Sequence, residues 1–283
     1  MSGTGPNPQT NSADPRTTAS DATPCDATPS DATPSSGPTT SSEPRLHAIE
    51  RTCLFLDIDG TLLDFVDSPR LVAVDAELVD LLDRAAGATL GALALVSGRS
   101  LAQIDELFAP TRWPAAGLHG LERRDAAGLV HRASIDASQI DRARRQFEQL
   151  AWRHAEVEVE DKGLTVALHY RRAPALGVEL ASEVQDIVDS LGGNYRVQPG
   201  SCVLEITPRG ASKADAVEAF LDERPFSGLQ PLYAGDDLTD LAAFEAVERL
   251  GGLSIAVGDR VRAKLNFPTV MHFRRYLAGL VDA

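Results

Sequence analysis

An acidic stretch, DIDGT at residues 57–61, directly follows a run of apolar residues. Because the chain turns just past the end of a strand, Asp57 can face a ligand while Asp59 approaches from its flank. One of these carboxylates can act as a nucleophile toward phosphorus and the other as a general acid and base, provided that their environments separate the two pKa values. Gly60 would permit the turn. Thr61, whose hydroxyl can hold the loop, is also a candidate substrate contact.

Attack by a carboxylate on a phosphate ester brings two anions together, so positive charge must offset their repulsion. Mg2+ suits this task because it prefers carboxylate, water and phosphate oxygens as ligands. The motif GDDLTD at residues 235–240 follows another apolar run and supplies further acids, with Asp237 or Asp240 able to act through water. The candidate metal ligands are Asp57, Asp59, Asp236, Asp237 and Asp240.

The phosphate group also needs partners, and two more pieces of the chain can provide them. In SGR at residues 97–99, Ser97 and the backbone N–H of Gly98 can hold phosphate oxygens, and Arg99 is a further candidate contact. Lys213, at the start of a predicted helix, would add positive charge for the equatorial oxygens in the transition state. The expected catalytic residues are Asp57, Asp59, Ser97 and Lys213.

Each of these pieces has a plain structural interpretation when it is taken alone. DIDGT is compatible with a turn held by an Asp side chain, and SGR with an ordinary strand-to-helix turn. Lys213 alone fits a solvated lysine, and GDDLTD fits a helix start with acids at its positive end. Together, each at a predicted strand end or helix start, they favour a phosphate-handling site.

Strands and helices must alternate along the chain for these pieces to meet, and the apolar patterning predicts this. The predicted core segments are buried strands at 53–56, 91–98, 231–235 and 252–258 and helices at 75–87, 100–109, 212–223 and 237–251. The alternation is typical of a parallel sheet with helices on both faces. The expected fold class is therefore α/β, with a doubly wound core made of residues 45–119 and 209–283.

Residues 120–208 break this alternation and are expected to form an inserted α+β domain. In two segments, 156–160 and 164–170, polar and apolar residues alternate, which is typical of an antiparallel sheet with one solvent-exposed face. The other predicted elements are a strand at 129–133, helices at 136–155 and 173–193, and two strands within 195–207. An insert at the carboxyl edge of the core sheet would hang over the crevice where such sheets bind ligands.

The amino-terminal segment, residues 1–44, differs from the rest in composition. It consists mainly of Ser, Thr, Pro, Asp and Ala, with DATP occurring at Asp21, Asp26 and Asp31, and it predicts disorder because it has little apolar surface to bury. The net charge of −14 argues against nucleic acid or an anionic membrane as a partner. The lack of a long apolar segment or a signal sequence favours a cytoplasmic location. We expect a monomer that acts on a small molecule.

The combined motifs resemble those of the haloacid dehalogenase (HAD) superfamily of phosphotransferases. The four motifs of that superfamily correspond, in order, to Asp57 with Asp59, to Ser97, to Lys213, and to Asp236 with Asp237 and Asp240. The resemblance implies a HAD-like Rossmannoid core with an inserted cap. An Asp at position 59, where ion-pumping members carry Thr, implies phosphatase or mutase chemistry.

A closer resemblance, from about Phe55 to Gly258, is to the bacterial trehalose-6-phosphate phosphatases. The segments that carry it are GALALVSGRS, PAAGLHGLERRD, ALHYR, VLEITPRGASK and GDDLTD. It implies Mg2+ as the cofactor, trehalose 6-phosphate as the substrate, a role in trehalose biosynthesis, and a mobile cap, here the insert, that closes over the disaccharide. The residues that it suggests as sugar contacts are Glu122, Lys162, His169, Arg171 and Glu205.

Two other functions stay open at this point. The same core could belong to a phosphatase of another sugar phosphate, of the sucrose-phosphate type, since the cap decides the substrate. A catalytically inactive domain that senses sugar phosphates is a second alternative, although intact Asp57, Asp59, Lys213 and Asp236 favour catalysis. For Glu122 and Arg171, a surface ion pair is as good an interpretation as a sugar contact.

Overall fold

The structure is a computed structural model, and its description covers residues 48–64 and 74–282. The tail predicted to be disordered, residues 1–44, lies outside the described residues. The helices formed within them are α1 (Ala76–Ala88), α2 (Leu101–Leu107), α3 (Ala137–Arg153), α4 (Gly177–Leu191), α5 (Lys213–Leu221), α6 (Leu241–Arg249) and α7 (Val270–Val281). The strands are β1 (Thr52–Leu56), β2 (Leu93–Val96), β3 (Ala115–Gly117), β4 (Glu122–Arg124), β5 (Val130–Arg132), β6 (Glu158–Asp161), β7 (Val166–His169), β8 (Tyr195–Gly200), β9 (Val203–Pro208), β10 (Gln230–Gly235), β11 (Leu253–Val257) and β12 (Leu265–Phe267).

The core of the molecule is a sheet whose strands lie in the order β12-β11-β10-β1-β2-β3-β4-β5. All neighbours from β12 to β3 are parallel. Helices α1, α2 and α7 pack on one face, and α5 and α6 pack on the other, so the central strands are buried on both sides. This arrangement explains their continuous apolar runs. It confirms the predicted doubly wound α/β core, with β1 between β10 and β2.

One predicted strand belongs to a different sheet from the one expected. The strand predicted at 129–133, which the sequence assigns to the insert, forms β5 and pairs antiparallel with β4, while β4 pairs with β3. All three residues of β5 are exposed, so it has no apolar face to bury in a second sheet, and a short hairpin places it beside β4 instead. The second sheet and its helices therefore occupy residues 137–208, a narrower segment than the predicted 120–208.

The second sheet is antiparallel, with strands in the order β6-β7-β9-β8. On one face, apolar side chains of these strands pack against α3 and α4 in a separate core; they include Val166, Leu168, Leu204 and Ile206. Because successive side chains point to opposite faces of a strand, the intervening residues lie on the other face. That second face, called the polar face below, carries Glu160, His169 and Glu205.

The carboxyl-terminal part adds two elements that the sequence analysis did not predict, β12 and α7. Val270, Phe273 and Leu277 of α7 join the same apolar core as α1. Arg274 of α7 also donates a hydrogen bond of 2.6 Å to the carbonyl oxygen of Leu62, just after DIDGT. Helix α7 therefore braces the loop that follows β1. None of the helices in the ranges 48–64 and 74–282 is long and apolar enough to cross a membrane.

Candidate active site

The carboxyl ends of three neighbouring strands bring the predicted motifs together. Asp57 follows β1, Ser97 follows β2 and Asp236 follows β10, and the parallel pairing places these strand ends on one edge of the sheet. Lys213, the first residue of α5, reaches the same edge. All four residues are buried.

Lys213 lies between two carboxylates. Its Nζ is 3.0 Å from Asp57 Oδ1 and 2.7 Å from Asp240 Oδ1. Burial alone would lower the pKa of Lys213, but the charges of Asp240 and Asp57 raise it, so the ammonium group stays protonated. Lys213 therefore orients Asp57 and supplies one positive charge at the end of β1.

Asp240 is fully buried, and its contacts give it a structural role. Its Oδ1 accepts hydrogen bonds from Lys213 and from the Tyr233 hydroxyl at 2.6 Å, and its Oδ2 accepts from the backbone N–H groups of Asp236 (3.1 Å) and Asp237 (2.9 Å). A Cβ on Gly235 would lie 2.3 Å from Asp240 Cγ, so glycine is needed for this close approach. Two donors already occupy each oxygen, so these contacts do not support the prediction that Asp240 is a metal ligand.

Three acidic side chains nevertheless form a buried, electronegative cluster. One oxygen from each of Asp57, Asp236 and Asp240 lies within 4.8 Å of the others. Asp236 Oδ1 is buried and has no hydrogen-bond partner in the described part of the chain. Burial, and next the charge of Asp240, raise the pKa of Asp236 to about 7. Burial also raises the pKa of Asp57 despite the opposing charge of Lys213. An unpartnered carboxylate oxygen in such a cluster fits a hard divalent cation.

The other two predicted metal ligands have arginine partners. Arg99 donates from Nε to Asp59 Oδ2 at 2.7 Å and from Nη2 to Asp59 Oδ1 at 2.6 Å, a bidentate ion pair. Asp237 lies 3.0 Å from Arg260 and also accepts a hydrogen bond from the Leu238 N–H. Both carboxylates are therefore already paired with a cation, unlike that of Asp236.

The SGR loop lies at the end of β2, as predicted. The Ser97 hydroxyl accepts a hydrogen bond of 3.2 Å from the Arg99 N–H, which leaves its own hydrogen for another acceptor. Thr61 departs from expectation, because it is fully buried and its hydroxyl has no partner within the described residues. Backbone hydrogen bonds from residues 61–63 to the Ile58 carbonyl hold that loop instead. The burial of Thr61 also leaves no surface for a substrate.

His119 is a residue of this site that the sequence analysis did not single out. Its backbone φ is 56°, in the left-handed region, and its ring packs over Gly98, where a Cβ would lie 2.8 Å from ring atoms Cε1 and Nε2. Burial lowers the pKa of His119 to about 4, so the ring is neutral. Nδ1 of His119 is buried and has no hydrogen-bond partner within the described residues. The sequence signal is GLHG at 117–120, a histidine in a turn between glycines directly after a strand.

Lys162 and Glu205 form an ion pair on the polar face of the second sheet. Lys162 Nζ is 2.9 Å from Glu205 Oε2 and donates to the Gly98 carbonyl at 3.3 Å. Burial opposes charge on both residues, but Glu205 raises the pKa of Lys162 and Lys162 lowers that of Glu205. Glu205 Oε1 is buried without a partner among the residues that the structure describes. Two predicted sugar contacts thus face the SGR loop, with one carboxylate oxygen available.

Glu160 is a second residue that the sequence analysis did not identify. It accepts a hydrogen bond of 2.6 Å from Gln103 Nε2 and lies 2.8 Å from His169 Nε2, which pairs with it. Burial would raise the pKa of Glu160, but His169, Lys162 and Gln103 lower it to about 2. The alternation in EVEVE at residues 156–160 predicts that its glutamates face solvent. No feature of the sequence shows that residues of the core sheet domain contact this face of the second sheet, as Gln103 does at Glu160.

Glu122 and Arg171 have contacts that indicate other roles. Glu122 is buried; its Oε1 accepts a hydrogen bond of 2.6 Å from the Leu101 N–H at the start of α2, and its Oε2 accepts one of 3.2 Å from Arg132. Glu122 therefore joins β4 to α2, and these contacts do not support its prediction as a sugar contact. Arg171 Nη2 lies 3.4 Å from the backbone and hydroxyl oxygens of Ser201. A sugar contact by Arg171 stays a prediction.

The fold of this chain is similar to the folds of solved phosphatases, one of them named as a member of the HAD superfamily. A Bacteroides thetaiotaomicron phosphatase of that superfamily matches the fold with a TM-score of 0.51 at 19% identity, covering 87% of this chain and 99% of its own. The carboxyl-terminal domain of Candida albicans trehalose-6-phosphate phosphatase matches with a TM-score of 0.74 at 21% identity, covering 82% and 93%. The chain therefore has the HAD fold, as predicted.

Within that class, residues 55–264 match the trehalose-phosphatase family, and the chain belongs to this family. It is 45% identical to a probable trehalose-phosphate phosphatase of Sinorhizobium fredii, over 82% of this chain and 88% of that protein. It is 41% identical to the trehalose-6-phosphate phosphatase of Escherichia coli, over 72% of this chain and 76% of that protein. The family resemblance seen in the motifs is confirmed.

Proposed function

We propose that this protein is a Mg2+-dependent phosphatase that hydrolyses trehalose 6-phosphate to trehalose and phosphate, in the cytoplasm and in trehalose biosynthesis. The observation that carries the proposal is the position of Asp57, which is buried 3.0 Å from the Lys213 ammonium group, in one cluster with Asp236, whose Oδ1 has no hydrogen-bond partner among the described residues. Family membership and the names of the relatives support the substrate.

The residues at the strand ends suit a two-step phosphoryl transfer. Asp57 attacks phosphorus, the bond from phosphorus to the sugar oxygen breaks, and an aspartyl-phosphate forms. Asp59 donates a proton to the departing sugar oxygen and then removes one from the water that hydrolyses the aspartyl-phosphate, which regenerates Asp57. Lys213 and Ser97 hold the phosphate oxygens. Mg2+, held by Asp57 and Asp236, would supply the additional positive charge that attack by one anion on another requires.

The pairing of Arg99 with Asp59 adds a condition to this mechanism. Both oxygens of Asp59 accept hydrogen bonds from Arg99, so Asp59 must be released before it can hold a proton for the leaving group. A substrate phosphate offers alternative acceptors for the two N–H groups of Arg99. In our proposal Arg99 moves from Asp59 to the phosphate when the substrate binds.

We assign the selection of the sugar to residues 137–208, acting as a cap over the core formed by the described residues before 137 and after 208. The polar face of the cap sheet contacts the core through Lys162 and the Gly98 carbonyl. Closure of such a cap excludes water and orients the leaving group, whereas the core handles the phosphate. The unpartnered Glu205 Oε1 is an acceptor suited to a sugar hydroxyl.

Phosphate release from trehalose 6-phosphate should require Mg2+, and Mg2+ should stabilise the protein more at pH 8 than at pH 6. The folded-state pKa of Asp236, about 7, lies above its ordinary value of 3.8, so this group stabilises the metal-free fold at low pH and loses that effect as the pH rises through 7. Metal binding needs the ionised carboxylate, which is present above pH 7.

The measurements are phosphate release with Mg2+ or with EDTA, and melting temperatures at both pH values with and without Mg2+. The matched variant is Asp236→Asn, which preserves the size of the side chain and should abolish most of the Mg2+ effect. Undiminished turnover in EDTA would rule out the metal-assisted mechanism.

Lys162→Ala and Glu205→Ala should each lower kcat/KM for trehalose 6-phosphate by roughly ten- to a hundred-fold, since losing a buried hydrogen-bonded contact costs ~1–3 kcal/mol. Both variants should change kcat/KM for p-nitrophenyl phosphate by less than about two-fold, because the aryl group does not reach the polar face of the cap. Steady-state kinetics on both substrates make the test. Equal losses on the two substrates would mean that the residues serve the fold or the phosphate chemistry, and the assignment of sugar selection to the cap would fail.

A further inference from the structure

Gln103 lies where the core meets the cap, and its side-chain amide makes contacts on both sides. Its Oε1 accepts a hydrogen bond of 2.8 Å from the Ser100 N–H, and the Ser100 hydroxyl accepts one of 3.2 Å from the Gln103 N–H, which together form the capping box of α2. Its Nε2 donates a hydrogen bond of 2.6 Å to Glu160 Oε1 on the cap sheet. One amide group thus holds the start of α2 and a cap residue at the same time.

The capping box begins directly after the SGR loop. Ser100 follows Arg99, the residue that binds both oxygens of Asp59. The same loop has a second link to the cap, since the Gly98 carbonyl accepts a hydrogen bond from Lys162. Glu160 lies on β6 and Lys162 directly after it, and both contact the core, Glu160 at Gln103 and Lys162 at the Gly98 carbonyl. The cap is therefore joined to one loop of the core at two places.

Glu160 is well suited to hold this contact. It is ionised, its second oxygen pairs with His169 at 2.8 Å, and it lies near Lys162. A hydrogen bond to a charged acceptor is stronger than one between neutral groups. The contact with Gln103 therefore links the core to the charged group of the cap that faces the SGR loop.

We propose that Gln103 is a positioning residue that fastens the cap to the SGR loop through Glu160, so that the closed cap and the phosphate-holding groups adopt one fixed relative position. The inference rests on the proposed function, because it deepens the account of how this site selects a sugar phosphate. Gln103 acts through Glu160 and through the capping box rather than on the reacting atoms.

Gln103→Glu separates the two roles of the amide. A glutamate at this position still accepts the hydrogen bond from the Ser100 N–H, as in many capping boxes, but it cannot donate to Glu160 and places a second negative charge beside it. We expect kcat/KM for trehalose 6-phosphate to fall about ten-fold or more, with kcat/KM for p-nitrophenyl phosphate and the melting temperature nearly unchanged.

The matched control is Gln185→Glu. Gln185 on α4 donates a hydrogen bond of 2.8 Å to Asp189, so this substitution makes the same chemical change and also places two acids together, but on the exposed face of a single helix. It should leave both activities unchanged. Equal losses on both substrates for Gln103→Glu, or no loss on either, would overturn the proposal.

Gln103→Glu combined with Glu160→Gln tests the contact itself. A glutamine at position 160 can donate to a glutamate at position 103, so the loss caused by Gln103→Glu should be smaller in the Glu160→Gln background than in the wild type. An equal loss in both backgrounds would show that Gln103 does not act through Glu160.

Amide hydrogen exchange gives a readout that does not depend on the substrate. Gln103→Glu should speed exchange in segments 97–101 and 158–163, which form the two sides of the contact, and Gln185→Glu should not. Unchanged exchange there would contradict the proposed fastening even if the wild type proved inactive on trehalose 6-phosphate. That inactivity would refute the proposed function instead.

Discussion

Asp57→Asn is expected to lower kcat for trehalose 6-phosphate by about 10⁴-fold or more, the scale seen when an enzyme loses its nucleophile. An amide has the size of the carboxylate but does not attack phosphorus. The fold should survive, because burial and the neighbouring acids Asp240 and Asp236 raise the pKa of Asp57, so a neutral group at this position relieves repulsion. Lys213 keeps Asp240 as a partner at 2.7 Å.

The test combines phosphate release with the melting temperature of the same purified variant. Asp186→Asn, at an exposed position of α4, is the matched control and should retain wild-type activity. Near-normal turnover by Asp57→Asn would remove Asp57 from the mechanism. A large fall in melting temperature would show that the carboxylate is needed for the fold.

Lys213→Met should reduce both catalysis and stability. Its ammonium group is buried between Asp57 and Asp240, so removal leaves two buried carboxylates without their cation, which typically costs ~3–5 kcal/mol in the free energy of unfolding. The transition state also loses a fixed positive charge, and we expect kcat to fall by about 10²–10³-fold or more. Denaturant unfolding and steady-state kinetics measure the two effects.

The double substitution Lys213→Met with Asp240→Asn separates these effects. An asparagine at position 240 can still accept the N–H groups of Asp236 and Asp237 through its carbonyl oxygen, and its amide can donate to the Tyr233 hydroxyl. Part of the lost stability should return, since one buried charge is gone, whereas activity should not. Recovery of activity together with stability would mean that Lys213 acts only through the fold.

The main elements, and the meeting of Asp57, Ser97, Asp236 and Lys213 at one edge of the sheet, were predictable because their signals are local. Apolar runs that end in DIDGT, SGR and GDDLTD predict buried parallel strands. The carboxyl ends of neighbouring parallel strands lie on one edge of the sheet, whatever the conformation of the connecting loops. The starting position of Lys213 in α5 is likewise visible from the helix pattern. These inferences depend only on the spacing of apolar residues and on the order of the predicted strands and helices along the chain.

The partners of these residues were not predictable, because tertiary packing decides them. By sequence, Asp236, Asp237 and Asp240 are all candidate metal ligands, yet both oxygens of Asp240 accept hydrogen bonds, from Lys213, Tyr233 and two backbone N–H groups, and Asp237 pairs with Arg260. Likewise, nothing local shows that Glu122 accepts the Leu101 N–H at the start of α2 or that the short strand β5 joins the core sheet. Such choices are made by contacts between residues far apart in the chain.

The most direct test of the account is phosphate release by the wild-type protein, in the presence of Mg2+, from trehalose 6-phosphate, sucrose 6-phosphate and glucose 6-phosphate. The account predicts that kcat/KM for trehalose 6-phosphate exceeds the other two by at least about a hundred-fold, because the cap contacts that orient the disaccharide are each worth ~1–3 kcal/mol. Equal values for the three esters, a preference for sucrose 6-phosphate, or no release from any of them would contradict it.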